Sequence, residues 1–156
     1  MAASKAGTVI RLELPWLPPS SNHAYGNNPF GGRYLAGAGK EFLTLTKTHL
    51  VQKYPSQLRL FKKNKPYLIV FRFIFEELEN KGFAGGKTKT RYKVFDGGNR
   101  TKLLEDALKD AGGIDDSQFL TSAWQKMKGT SERTIIWAWS LEEEETPLDG
   151  LLRALP

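Results

Sequence analysis

Apolar and polar residues alternate from Thr8 to Trp16. Ile10, Leu12, Leu14 and Trp16 fall on one side, Val9, Arg11 and Glu13 on the other. A period of two sends successive side chains to opposite faces, so this stretch predicts a half-buried strand. Pro15, Pro18 and Pro19 end it, and Ser20-Ser21-Asn22 continues as a turn or loop. The glycine-rich stretch Asn27 to Gly39 reads as a long, mobile loop. Lys40 to Tyr54 predicts a helix, with Phe42, Leu43, Leu50 and Val51 at roughly helical spacing and several threonines working against it. Tyr67 to Phe75 is apolar except for Arg72. Its β-branched and aromatic content predicts a strand buried on both faces, hence central in a sheet.

Lys81 to Lys93 is rich in glycine and lysine, lacks a hydrophobic period, and reads as a flexible basic loop. After it, Asn99 is placed to cap a helix running to about Ala111, whose apolar stripe is Leu103, Leu104, Ala107, Leu108 and Ala111. Gly112-Gly113 supplies the stop, and Ile114-Asp115-Asp116 a turn. Gln118–Lys128 and Glu132–Leu141 predict two strands joined as a hairpin by Gly129-Thr130-Ser131. Glu142 to Glu145 is acidic and solvated, and Pro147 to Pro156 predicts a short helical turn. The expectation is one mixed α/β (α+β) domain over residues 1–156, with its core at about 8–141 and an acidic tail at 142–156. The order is near βαβαββ, with a mixed sheet and two helices.

Composition narrows the class. The chain has 156 residues, 40% hydrophobic and 26% charged, ordinary for one folded domain. It has no cysteine, which excludes disulfides and thiolate metal sites. Nothing in it approaches the ~18–20 apolar residues that span a bilayer. Met1 to Gly7 lacks the apolar core of a signal peptide, so a cytoplasmic protein with no membrane partner is expected. Net charge is +6, and its placement matters more than its size. Lys81, Lys87, Lys89, Arg91, Lys93, Arg100 and Lys102 stand against Asp96 alone, so residues 81–102 hold the whole surplus and the remainder is balanced. Concentrated cations point to a polyanion such as nucleic acid; the competing reading is a solvated basic loop.

The candidate chemistry lies beside that charge. A helix opening at Asn99 presents free N–H groups and a positive dipole end, which favour phosphate. Lys102, on its first turn, is placed to contact a scissile phosphate. Asp96 is a candidate Mg²⁺ ligand, with Asp115 and Asp116 as further suppliers of the carboxylates that metal-assisted hydrolysis needs. Taken singly, each has an ordinary alternative: a turn-forming Asp, a structural Asp pair, a solvated lysine.

Together the residues resemble the RusA-type Holliday junction resolvases. Leu14-Pro15-Trp16-Leu17-Pro18-Pro19-Ser20-Ser21-Asn22 is similar to that family's opening motif, and Asp96-Gly97-Gly98-Asn99-Arg100-Thr101-Lys102 to its Asp-x-Asp-Asn-x-x-Lys motif. Glu105-Asp106-Ala107-Leu108 followed by Gly-Gly-Ile-Asp115-Asp116-Ser117-Gln118 matches a third segment in order and spacing. The resemblance implies a homodimeric, Mg²⁺-dependent endonuclease (Mn²⁺ substituting) that binds four-way DNA junctions and nicks two strands symmetrically in recombination and repair. By position it implies that Asp96, Lys102 and Asp116 are catalytic and that Asp96, Asp115 and Asp116 bind metal. Asn99 matches the motif asparagine. Lys81, Lys87, Lys89, Arg91, Lys93 and Arg100 are the candidate DNA contacts on charge.

One position departs from the motif: Gly98 stands where the family has its second Asp. Three explanations remain open: water or a nearby carboxylate such as Glu105 substitutes, the protein binds junctions but cuts poorly, or the residue was changed to trap an uncut state. The alternative function is therefore a branched-DNA-binding protein with little or no cleavage, and behind it a general nucleic-acid binder. A helix from Asn99 to Ala111 is also about 18 Å long at ~1.5 Å per residue. That separates Asp96 from Asp115 and Asp116 unless a second subunit supplies the pair, giving composite sites in a dimer. His23 and His49 read as surface or loop residues, and Trp124, Trp137 and Trp139 as core or dimer interface. Trp16 divides between core and a wedge near DNA, and Arg33 and Tyr34 are weak DNA-contact candidates.

Overall fold

The apolar run Tyr67–Phe75 sits at the centre of the sheet, as its composition requires. The computed structural model describes residues 9–141. In chain order the elements are β1 (Ile10–Leu14), α1 (Ser21–Ala24), β2 (Tyr25–Asn27), β3 (Arg33–Leu35), α2 (Gly37–Lys53) and α3 (Pro55–Leu58). They continue with β4 (Tyr67–Phe75), α4 (Gly97–Gly112), β5 (Phe119–Lys128) and β6 (Arg133–Ser140). The mixed α+β class and the single domain agree with the sequence. Two single-turn helices and the β2–β3 hairpin are additions to the expected order. The expected terminal features, residues 1–7 and the acidic tail 142–156, lie outside the described residues.

The main sheet runs β1-β6-β4-β5, with β4 antiparallel to β6 and parallel to β5. This corrects the expected β5–β6 hairpin: the two strands do not pair but flank β4. The reason is that β4 has two apolar faces, and only a strand between two neighbours buries both. The link between β5 and β6 crosses the end of β4, where Gly129 N–H donates to Phe75 O at 2.8 Å. A Cβ at Gly129 would overlap Ile74, so this crossing needs glycine.

Helices α2 and α4 pack together. The core they share with the sheet includes Ile69, Phe71 and Phe73 of β4, Phe42 and Leu50 of α2, and Leu103, Leu104 and Leu108 of α4. The buried stripe of α2 is Gly39, Phe42, Thr46 and Leu50, whereas Val51 is exposed. Gly39 is required because a Cβ there would strike Ala24 O and Leu35. Trp16 resolves as a packing residue: its indole Nε1 donates to Thr46 Oγ1 at 3.3 Å, and its ring meets His49 edge-on. His49 is thereby corrected from a surface residue. It is half-buried, lies near the Tyr54 ring, and its Nε2 sits 3.1 Å from Glu13 O. His23 is exposed, as expected.

Candidate nucleic-acid interface at the start of the long helix

Helix α4 begins at Gly97, and its N-cap is Asp96, not Asn99. Asp96 Oδ1 accepts from Asn99 N–H at 3.2 Å, and Oδ2 accepts from the Asn99 side-chain amide. The expected cap is therefore the third helical residue, and the expected metal ligand does the capping. An Asp is as good an N-cap as an Asn, so the sequence alone did not separate them. At the other end Gly113 adopts φ 64°, and its N–H and that of Ile114 both donate to Lys109 O.

The start of α4 is open on one side and walled on the other. A Cβ at Gly97 would overlap the Trp124 indole, so only glycine admits that ring. Gly98 faces open space, the nearest atom to a Cβ there being Asp96 Oδ1 at 3.9 Å. Trp124 is exposed and its ring centroid is 5.9 Å from that of Phe95. On the same face of β5, Lys126 Nζ donates to Lys93 O at 3.0 Å. Neither Trp124 nor Lys126 was expected at this end. Their alternation was legible, but the parallel register that sets β5 beside β4 was not.

Arg100, expected among the DNA contacts, is taken up by the fold. Its guanidinium lies 4.4 Å from the Phe95 ring centroid and donates to Pro18 O, tying the proline loop to α4. Burial pushes the guanidinium down from its ordinary value, against the upward pull of Asp96 and Glu132. Lys102 stands on the second turn rather than the first, because the helix starts earlier than expected. It is exposed, and its charge acts on Glu105 and Asp106.

The expected basic loop is held by its own backbone. Tyr92 bridges Glu79, and the Asn80 side-chain amide donates to Thr90 O and Tyr92 O at 2.8 and 3.2 Å. Lys93 N–H donates to Leu78 O, so the excursion returns to the end of β4 beside Asp96. Lys81 pairs with Glu77 at 2.9 Å and Arg91 with Glu79 at 3.0 Å. Such exposed pairs are weak and exchange readily for a phosphate. Lys87 and Lys89 are exposed and form no ion pair among the described residues.

Asp115 and Asp116 lie at the far end of α4, whose 16 residues span about 24 Å at ~1.5 Å each. Asp115 caps the short 3₁₀ turn Asp116–Gln118. Its Oδ1 accepts from Ser117 N–H at 2.9 Å, and the hydrogen bonds from Ser117 hold its carboxyl below the usual range. Gln118 completes the turn by accepting from Asp115 N–H at 3.0 Å, and its amide donates to Lys62 O and Lys65 O, tying the turn to the loop before β4. Asp116 is exposed, and its charge reaches Glu105 and Asp106. The expected carboxylates thus fall into two places, Asp96 at one end, where Glu132 also acts on Arg100, and Glu105, Asp106 and Asp116 towards the other. No group of three or more His, Asp or Glu able to hold a metal occurs among the described residues. Within one chain the start of α4 does not fit a Mg²⁺ centre built on several carboxylates.

Two expected results follow. Asp96→Ala removes the cap and lowers stability by about 1 kcal/mol, a fall of roughly 2–4 °C in melting temperature for a chain this size. Asp96→Asn keeps most of it, and thermal melting of both variants checks this. Glu105 is half-buried, and burial foremost, then Asp106 and Asp116, raises its carboxyl above the ordinary value, opposed by Ser122 and Lys102. A raised folded-state value means that ionising Glu105 costs the folded state more than the unfolded one. Stability is lost as pH rises through that range. Glu105→Gln therefore raises the melting temperature at neutral pH. The gain vanishes below the ordinary glutamate range, as a pH series of melts would reveal.

The chain matches no protein-family model, and no curated protein is significantly similar to it. No helix among the described residues is long and apolar enough to cross a membrane.

Proposed function

We propose that this protein binds branched DNA, using the basic excursion and the start of α4 as its phosphate-binding face, and that as it stands it cleaves little or not at all. The observation that carries this is the return of the Lys81–Lys93 excursion to the end of β4, where it meets the N-terminus of a 16-residue helix. Exposed lysines and the positive end of the helix dipole there share one region. The junction preference comes from the motif resemblance. Weak cleavage follows from Gly98, from the use of Asp96 as a cap, and from the distance to Asp116.

The order of the three motif segments favours a second reading, a Mg²⁺-dependent, homodimeric junction endonuclease. Its missing carboxylates would come from the far end of α4 in a second subunit. Mg²⁺ would supply an activated water and charge neutralisation at the phosphate. The test is a labelled four-way junction incubated with the protein in Mg²⁺ or Mn²⁺. A retarded junction without nicks supports the binder. Paired symmetric nicks that Asp96→Asn abolishes support the nuclease. Failure to retard the junction overturns both.

A further inference from the structure

We infer that the β2–β3 hairpin is an aromatic finger whose tip residue, Phe30, stacks on a base that opens at the branch point of the bound DNA. This rests on the DNA-binding reading and adds to it an interaction with a base rather than with phosphate.

Phe30 is 98% exposed, on a chain that buries most of its phenylalanines. A lone exposed ring is ordinary on a protein surface; what marks this one for a partner is the turn that holds it at the tip and the charge around it. The segment that carries it is built. Asn28 N–H donates to Gly32 O at 2.9 Å, Gly31 N–H to Asn28 O at 3.0 Å, and Phe30 N–H to Asn28 Oδ1 at 3.0 Å. Gly31 and Gly32 adopt φ of 102° and 86°, which glycine alone takes without strain, so the turn is specified by its sequence. Below the tip, the Tyr34 ring lies across Gly26, where a Cβ would overlap it, and the Arg33 guanidinium sits 5.3 Å from the Tyr25 ring centroid. Ala36 N–H donates to Ala24 O at 2.7 Å and anchors the base of the hairpin, and Asp106 of α4 acts electrostatically on Tyr25. The base of the finger packs against the start of α2, where Leu35 and Ala24 meet Gly39.

Charge selects the partner. Between Glu13 and Glu41 the chain has no acidic residue, while Arg33 and Lys40 are cationic. A projecting ring with cations behind it and no acid in its own segment, Asp106 of α4 reaching only Tyr25 at the base, suits a polyanion with an exposed aromatic face. The interrupted stack at a branch point lets a base pair open and present such a face, and a continuous linear duplex does so far less readily.

The test uses the full chain, a four-way junction with 2-aminopurine at the branch point, and a linear duplex of matching arms. Wild type should raise the fluorescence of the branch-point base on binding. Phe30→Ala should bind the junction about tenfold more weakly, within the range of one base–aromatic stack. It should also lose the fluorescence change and bind duplex as wild type does. Phe30→Trp should restore both. Because Phe30 is exposed, Phe30→Ala should melt as wild type does, which separates removal of the stack from unfolding. If wild type binds the junction and Phe30→Ala matches it in affinity and fluorescence, the finger is wrong and the DNA reading stands. If wild type binds neither DNA, both fall.

Discussion

Gly98→Asp is expected to give this protein a divalent-metal response that the wild type lacks. Position 98 is helical, lies in the first turn of α4, and has open space around it. A Cβ there sits 3.9 Å from Asp96 Oδ1, so the new carboxylate can stand beside Asp96 without moving the backbone. In the absence of metal the two like charges repel, partly offset by the helix dipole, which favours an acid at this end. With Mg²⁺ at about a hundred times its dissociation constant, the variant gains about 2.7 kcal/mol, or roughly 5–10 °C in melting temperature. Junction nicking in Mg²⁺ should rise at least about tenfold over wild type, the lower end of what partners in metal sites are worth. Melting scans with and without Mg²⁺, run beside the cleavage assay, check both effects. An equal Mg²⁺ response in the wild type would mean that Asp96 finds its further ligands elsewhere.

Reversing Lys87 and Lys89, which form no ion pair among the described residues, is the second large effect. Lys87→Glu with Lys89→Glu should weaken junction binding by roughly tenfold or more. The double alanine variant should flatten the plot of log affinity against log salt by about 2 units, near 0.9 for each phosphate no longer neutralised. Lys81→Ala alone should do less, because Lys81 is paired with Glu77 in the free protein and gives up that pair on binding. Titrations at several salt concentrations separate these cases. The excursion is anchored by Asn80, Lys93, the Glu79–Tyr92 bridge and the Lys87 backbone N–H rather than by the Lys87 or Lys89 side chains, so neither change should alter the melting temperature much.

Much of the fold was legible because hydrophobic period and punctuation agree. β1 alternates, β4 is apolar except for Arg72, and α4 carries its stripe and glycine stop. The order of strands in the sheet was not. Gly129-Thr130-Ser131 looks like a hairpin turn locally, and only the two apolar faces of β4 explain why it crosses a strand end instead. Glycines between Asn27 and Gly39 suggested a mobile loop; they form a hairpin tip and let α2 start at Gly37. At the site, Asp96, Gly98, Asn99 and Lys102 stand out together in the sequence, but it favours Asn99 as the cap where Asp96 takes that place, because the two residue types cap equally well. Arg100 looked like a free cation because nothing local signals its hydrogen bond to Pro18, 82 positions away. Trp124 and Lys126 depend on strand register in the same way.

Binding to a branch is the claim on which the rest depends, and competition tests it most directly. A labelled four-way junction is bound by the full chain at moderate salt without divalent metal, then challenged with unlabelled junction or with linear duplex of the same total length. The proposed face and finger predict that duplex competes at least about tenfold less well than junction, within the range of one base–aromatic stack, and that raising salt releases the junction steeply. Equal competition by duplex, or a junction affinity indifferent to salt, would contradict the account.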